Sequence, residues 1–183
     1  MNNMNFEEKT KRENLVFDGK VLHVYCDEII QPDGRVATRE YAKHLGAVCV
    51  VPLTDEGEVI CVKQYRYAHR RVMLEIPAGK LDFAGEDREG AALRELREET
   101  GALCESLTHL GDIVPSPALI SERISMYLAE GLTFTDTDYD DGEFIEIVRI
   151  PLGELVDMIM RGEVEDGKTI AAILKVWYIK NNK

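Results

Sequence analysis

The chain has 183 residues, 45% of them hydrophobic, the size and composition of one domain able to bury a core of its own. Its formal net charge of -12 argues against a nucleic-acid surface or an anionic membrane, since either needs a contiguous basic face. A small phosphorylated ligand remains open, provided a cation screens the local field.

The start, MNNMNFEEKTKRENL, is charged and polar, so no secretory signal or membrane anchor is expected there. Leu15 to Gln31 and Arg35 to His44 alternate valine, isoleucine and tyrosine with polar residues around a Pro32-Asp33-Gly34 turn. They read as an antiparallel β-arm occupying residues 1–44, and because strands without a core of their own need a partner surface, a homodimer is expected. The pattern changes near Leu45, which assigns residues 45–183 to the main domain.

Gly46 to Leu53 is a near-continuous apolar run, too short to span a bilayer and suited to a strand buried on both faces. A cytoplasmic location is the expectation. Asp55-Glu56-Gly57 is expected to turn this strand into Glu58 to Tyr65 as a second hairpin. Val72 to Ile76 follows as a short strand broken by Pro77 and Gly79, then a glutamate-rich helix from about Glu86 to Thr100 with Gly101 as its C-cap. Further strands are expected near Cys104 to Val114, Arg123 to Ala129 and Glu143 to Ile150. Leu152, Leu155, Val156, Ile159 and Met160, and later Ile170, Ile173, Leu174, Trp177 and Tyr178 behind an Asp166 cap, recur at helical spacing. These predict two helices packed on the sheet, hence an α/β fold. Cys26, Cys49, Cys61 and Cys104 form no Cys-x-x-Cys pair and read as reduced core thiols, and the four histidines show no ligand spacing.

The helix carries the chemistry. At about 100° per residue, Glu95 and Glu99 lie one turn apart and Glu98 about 60° to the other side of Glu95, so the three carboxylates converge. Ala92, Leu93 and Leu96 form an adjacent stripe suited to burial, and Arg94 stands i,i+4 from Glu98, where it offsets part of the repulsion. Most glutamate-rich helices are simply solvated faces. Here hard oxygen donors at this density suit Mg²⁺, or Mn²⁺, better than zinc.

Arg94-Glu95-Leu96-Arg97-Glu98-Glu99-Thr100-Gly101, preceded by Glu86 and Gly79, resembles the signature box of the Nudix hydrolases. Two positions depart from the family pattern: six residues rather than five separate Gly79 from Glu86, and Ala102 replaces a bulky apolar residue. Gln64-Tyr65-Arg66, Glu75-Ile76-Pro77-Ala78-Gly79, and Pro117 sixteen residues after Gly101 are similar to the ADP-ribose pyrophosphatase branch. The resemblance implies an α/β/α sandwich around a mixed sheet and Mg²⁺-dependent hydrolysis of ADP-ribose to AMP and ribose 5-phosphate. The alternatives are another nucleoside diphosphate sugar or dinucleotide as substrate, or a non-catalytic nucleotide-sensing module.

By the same resemblance, Glu95 and Glu99 would hold metal with the backbone carbonyl of Ala78, and Glu98 would be a further ligand or orient water. Glu143, in a run similar to the family's catalytic loop and beside Gly142, is the expected general base. Arg66 and Arg39 are expected to contact phosphates or ribose, and Glu75 either a ribose or the loop behind it. Phe17, Tyr25, Tyr41 and Tyr67 are candidates for stacking on adenine. A rival reading takes Asp136-x-Asp138-x-Asp140 as the start of a calcium loop, but Asp141 stands where glycine is needed and Ile147 where the bidentate glutamate belongs.

Overall fold

The computed structural model describes residues 5–137 and 144–182, in two units: Met1–Leu45 with Ser116–Glu122, and Gly46–Pro115 with Arg123–Lys183. In the smaller unit, β3 (His23–Ile30) pairs antiparallel with β4 (Val36–Lys43) along its whole length. Its other edge carries two short strands, β1 (Lys9–Arg12) and β2 (Leu15–Asp18). The single strand expected from Leu15 to Gln31 is therefore two. Gly19 donates its N–H to the Leu22 carbonyl at 2.9 Å, a turn that folds β2 back onto β3. Inside the sheet the buried Asp27 accepts hydrogen bonds from Tyr41 Oη and the Asn14 N–H, both at 2.9 Å. Residues 116–122 run beside β4, with Ala42 N–H bonded to the Leu119 carbonyl at 2.8 Å.

In the larger unit β5 (Ala47–Pro52) is buried throughout and pairs with β8 (Ala78–Lys80) antiparallel and β10 (Ile124–Phe134) parallel, while β9 (Ala102–Ile113) pairs antiparallel with β10. This is the expected mixed sheet. Successive side chains of β5 point to opposite faces, and each face has its own cover. Val48 and Val50 pack with α1 (Arg88–Thr100) through Ala91, Ala92 and Leu96, whereas Cys49 and Val51 pack with α2 (Leu152–Met160) and α3 (Gly167–Asn181) through Leu155, Ile173 and Val176. The result is the α/β/α sandwich. Cys49 and Cys61 are free and buried, and burial pushes both thiols up to about 12, so they behave as small apolar residues.

The second hairpin expected around Asp55-Glu56-Gly57 does not form a ladder. β6 (Glu58–Arg66) belongs to a separate antiparallel sheet between β7 (Arg71–Glu75) and β11 (Ile145–Pro151); the turn itself forms, but pairing beside β5 is limited to the isolated Leu53–Val59 bridge just past its end. Both edges of β5 are already taken by β8 and β10, which leaves β6 to pair elsewhere. No described helix is long and apolar enough to cross a membrane.

Candidate active site

α1 starts and stops where its sequence directs. Asp87 caps the N-terminus by accepting from Gly90 N–H at 2.8 Å, and Gly101 ends the helix in the left-handed region at φ 68°. Ala91, Ala92 and Leu96 form the buried stripe, but Leu93, expected in it, is exposed. It lies a full 100° step from Ala92, beyond the edge of the contact with β5.

The opposite side of α1 gathers acid around Arg94. Its Nη1 binds Glu95 at 2.8 Å and Glu98 at 3.0 Å, and its Nη2 lies 3.4 Å from Asp82 and 3.5 Å from Glu86. Burial works against the charged guanidinium, yet Glu95, Glu98 and Asp82 hold its pKa above the ordinary arginine value. Nη2 is also buried with no well-formed hydrogen bond. Glu86 closes its own loop by accepting from Asp82 N–H at 2.6 Å.

Glu99 is only 5% exposed and accepts from Ala78 N–H at 3.1 Å. Glu95 packs so tightly over Gly79 that a Cβ at that position would overlap its carboxylate. Glu95 and Glu99 are thus brought against the start of β8, while Glu98 meets Glu95 only through their shared Arg94. Among the described residues no three acidic, histidine or cysteine side chains form a ready-made metal cluster. The donor set nevertheless fits a hard divalent cation. Four carboxylates share one guanidinium, so negative charge is in excess, and every donor is oxygen.

Arg66 and Glu75 form a second centre on adjacent strands. Arg66 Nε and Nη2 bind the two Glu75 oxygens at 2.6 and 2.8 Å, and Lys168 Nζ at the start of α3 also contacts Glu75. Glu75 is 2% exposed. Burial opposes its charge, but Arg66 and Lys168 prevail and hold the carboxyl down at about 2. Glu75 in turn holds the Arg66 guanidinium above the ordinary arginine value against the opposing effect of burial, with smaller contributions from Glu99 and Asp166.

Arg39 is in the smaller unit, with its guanidinium engaged by Glu8 and the Thr38 carbonyl. Tyr25 and Tyr41 stack on each other with ring centroids 5.6 Å apart, Tyr67 lies under Arg70, and Phe17 is exposed. Glu143, with Asp138, Asp140 and Asp141, lies outside the described residues. Sequence reading missed Asp82 and Lys168. A lysine and threonine directly behind the Asp166 cap, in Asp166-Gly167-Lys168-Thr169, were the available signal for the latter.

The NUDIX domain family model matches residues 43–173, a span covering the box and both centres. The chain belongs to the Nudix family. Nudix hydrolases generally use a divalent metal, in keeping with the oxygen-rich donor set. This Nudix chain is 41% identical over 169 residues to the ADP-ribose pyrophosphatase of Bacillus subtilis, covering 91% of each. It is 38% identical over 170 residues to the methanol dehydrogenase activator of Bacillus methanolicus, covering 92% of this chain and 91% of that one. A crystal structure of an ADP compounds hydrolase shares the fold with a TM-score of 0.84, at 22% identity, over 97% of this chain and 98% of that one.

Proposed function

We propose that this Nudix chain hydrolyses the pyrophosphate bond of ADP-ribose, yielding AMP and ribose 5-phosphate, with Mg²⁺ as its metal and Mn²⁺ able to replace it. The observation that carries the reading is the short connection between the two charged centres: Glu75, which binds Arg66, lies three residues before Ala78, whose N–H donates to Glu99 on the acidic helix α1. One centre suits a metal and the other suits the phosphates that the metal would share. Similarity to the B. subtilis ADP-ribose pyrophosphatase over nearly the whole chain supports the choice of nucleotide.

Glu95, Glu99 and the carbonyl of Ala78 would hold the metal, with Glu98 a further ligand or an orienter of water. When bound, the metal screens the pyrophosphate charge and makes water more acidic. In hydrolysis a water oxygen forms a bond to one phosphorus as the bridging P–O bond breaks. The water proton passes to Glu143, and the two phosphates depart as AMP and ribose 5-phosphate. Arg66 binds the anionic substrate, and Glu75 acts by holding Arg66. Arg39 is the contact proposed for the N-terminal arm, residues 1–44, whose exposed Leu15, Val16 and Phe17 on β2 suit a second copy of the chain. A homodimer through this arm is the expectation, and gel filtration at the mass of one chain would overturn it.

Incubation with ADP-ribose and a panel of nucleotide sugars and dinucleotides in Mg²⁺, with and without EDTA, tests the function. The expected products are AMP and ribose 5-phosphate, formed fastest from ADP-ribose and lost on chelation. Faster turnover of another nucleotide would reassign the substrate, and binding without turnover would favour a sensor. Gly79→Ala tests the close approach of Glu95. Because the added methyl meets the flexible end of a side chain, the melting temperature should hold within a few degrees while kcat falls roughly a hundredfold. Full activity would show that Glu95 need not lie over Gly79.

A further inference from the structure

The cap of α3 reaches the Arg66–Glu75 pair through a chain of alternating charge. Asp166 Oδ2 accepts from Thr169 N–H at 3.0 Å, from Thr169 Oγ at 2.5 Å and from Lys168 Nζ at 3.0 Å. Lys168 spans from Asp166 to Glu75, and Glu75 receives both arms of Arg66. Thr169 Oγ in turn accepts from Ile76 N–H at 2.9 Å, so the same turn of α3 also holds the backbone that follows Glu75. The side chains are 16% exposed at Asp166, 12% at Lys168, 3% at Glu75 and 40% at Arg66. The series is most buried at Glu75, partly buried at Lys168 and Asp166, and most open to solvent at Arg66.

We propose that Lys168 is a positioning residue for substrate binding: by sharing the charge of Glu75 it keeps Arg66 both fixed and electropositive toward an anionic ligand. This rests on the reading that Arg66 binds the substrate. Two hydrogen bonds to Glu75 fix the plane of the guanidinium and leave Nη1 as the nitrogen Glu75 does not engage. Were Glu75 neutralised by Arg66 alone, that cation would have little charge left to offer a pyrophosphate. With Lys168 present, one carboxylate is shared by two cations, and Asp166 balances the buried lysine from behind. Lys168 touches no reacting atom; it acts through Glu75 and Arg66.

The two ends of the series give opposite expectations. Lys168→Met keeps much of the apolar stem but removes the charge, and should raise the KM for ADP-ribose roughly tenfold with kcat within about twofold. Lys168→Arg should restore KM to within about threefold of wild type. Asp166→Asn keeps a good helix cap while giving Glu75 a larger share of Lys168, and should lower KM by about twofold to threefold. A merely structural role would destabilise the variants without this reversal of sign. NMR of the Arg66 Nε–Hε group reads the same link without substrate: its resonance should shift or broaden in Lys168→Met and return in Lys168→Arg.

An unmoved Arg66 resonance in folded Lys168→Met, or a KM unchanged in both Lys168→Met and Asp166→Asn, overturns the proposal. If wild type fails to hydrolyse ADP-ribose, the substrate reading falls while the resonance still decides whether Lys168 positions Arg66. If Lys168→Met does not fold, Asp166→Asn decides, and a KM equal to or above wild type counts against the link.

Discussion

Replacing Glu99 with glutamine is expected to remove nearly all turnover of ADP-ribose while leaving the fold intact. Glutamine has the same shape, and its side-chain oxygen can still accept from Ala78 N–H, so the contact between α1 and the start of β8 survives. What disappears is one negative charge from a buried position on the proposed metal face. A fall in kcat of roughly a thousandfold is expected, equivalent to about 4 kcal/mol in the barrier. Without metal the variant should melt within a few degrees of wild type, because the contact with Ala78 N–H is kept. Adding Mg²⁺ should raise the melting temperature of wild type and leave Glu99→Gln nearly unmoved, as binding to the folded state alone stabilises it. Full activity in the variant would refute a metal role for Glu99, and an equal Mg²⁺ shift in both proteins would move the metal elsewhere.

Glu75→Gln should produce the largest loss of stability. Its carboxylate is the shared partner of two cations in a buried setting, so removing it leaves Arg66 and Lys168 without their common anion. About 3 kcal/mol is expected, or a fall of roughly 6–12 °C in melting temperature for a chain of this size. The pH dependence follows from the Glu75 carboxyl at about 2, below its ordinary 4.5. A carboxyl depressed in the folded state adds stability that is complete above its unfolded value and is lost as pH falls from 4.5 through about 2. Denaturant unfolding at pH 7 and pH 3 should therefore show the gap between wild type and Glu75→Gln shrinking by about half or more at the lower pH. A constant gap would mean that packing, not charge, holds this side chain.

The parts of the site legible in the sequence are those governed by helical periodicity and local caps. The helix that carries Glu95, Glu98 and Glu99, its Gly101 stop and the Asp166 cap depend on residues within a few positions of each other, where helix geometry leaves little freedom. The same local rules also misled. Asp55-Glu56-Gly57 has the chemistry of a hairpin turn, but a turn does not decide which strands pair when β5 has better partners on both edges. Leu93 is apolar, yet the width of the α1 contact, set by small Ala91 and Ala92, leaves it outside.

By itself, then, the sequence determined a carboxylate-bearing helix behind a glycine loop, an apolar central strand and the box that marks the Nudix family. Only the tertiary structure decided that Arg94 serves four carboxylates at once, that Ala78 donates to Glu99, and that Arg66, Glu75, Asp166 and Lys168 form one series of charges. The physical reason is range. Backbone geometry ties a residue to neighbours three or four positions away, whereas partners about ninety positions apart, such as Glu75 and Lys168, meet only when sheet and helices close around a common core.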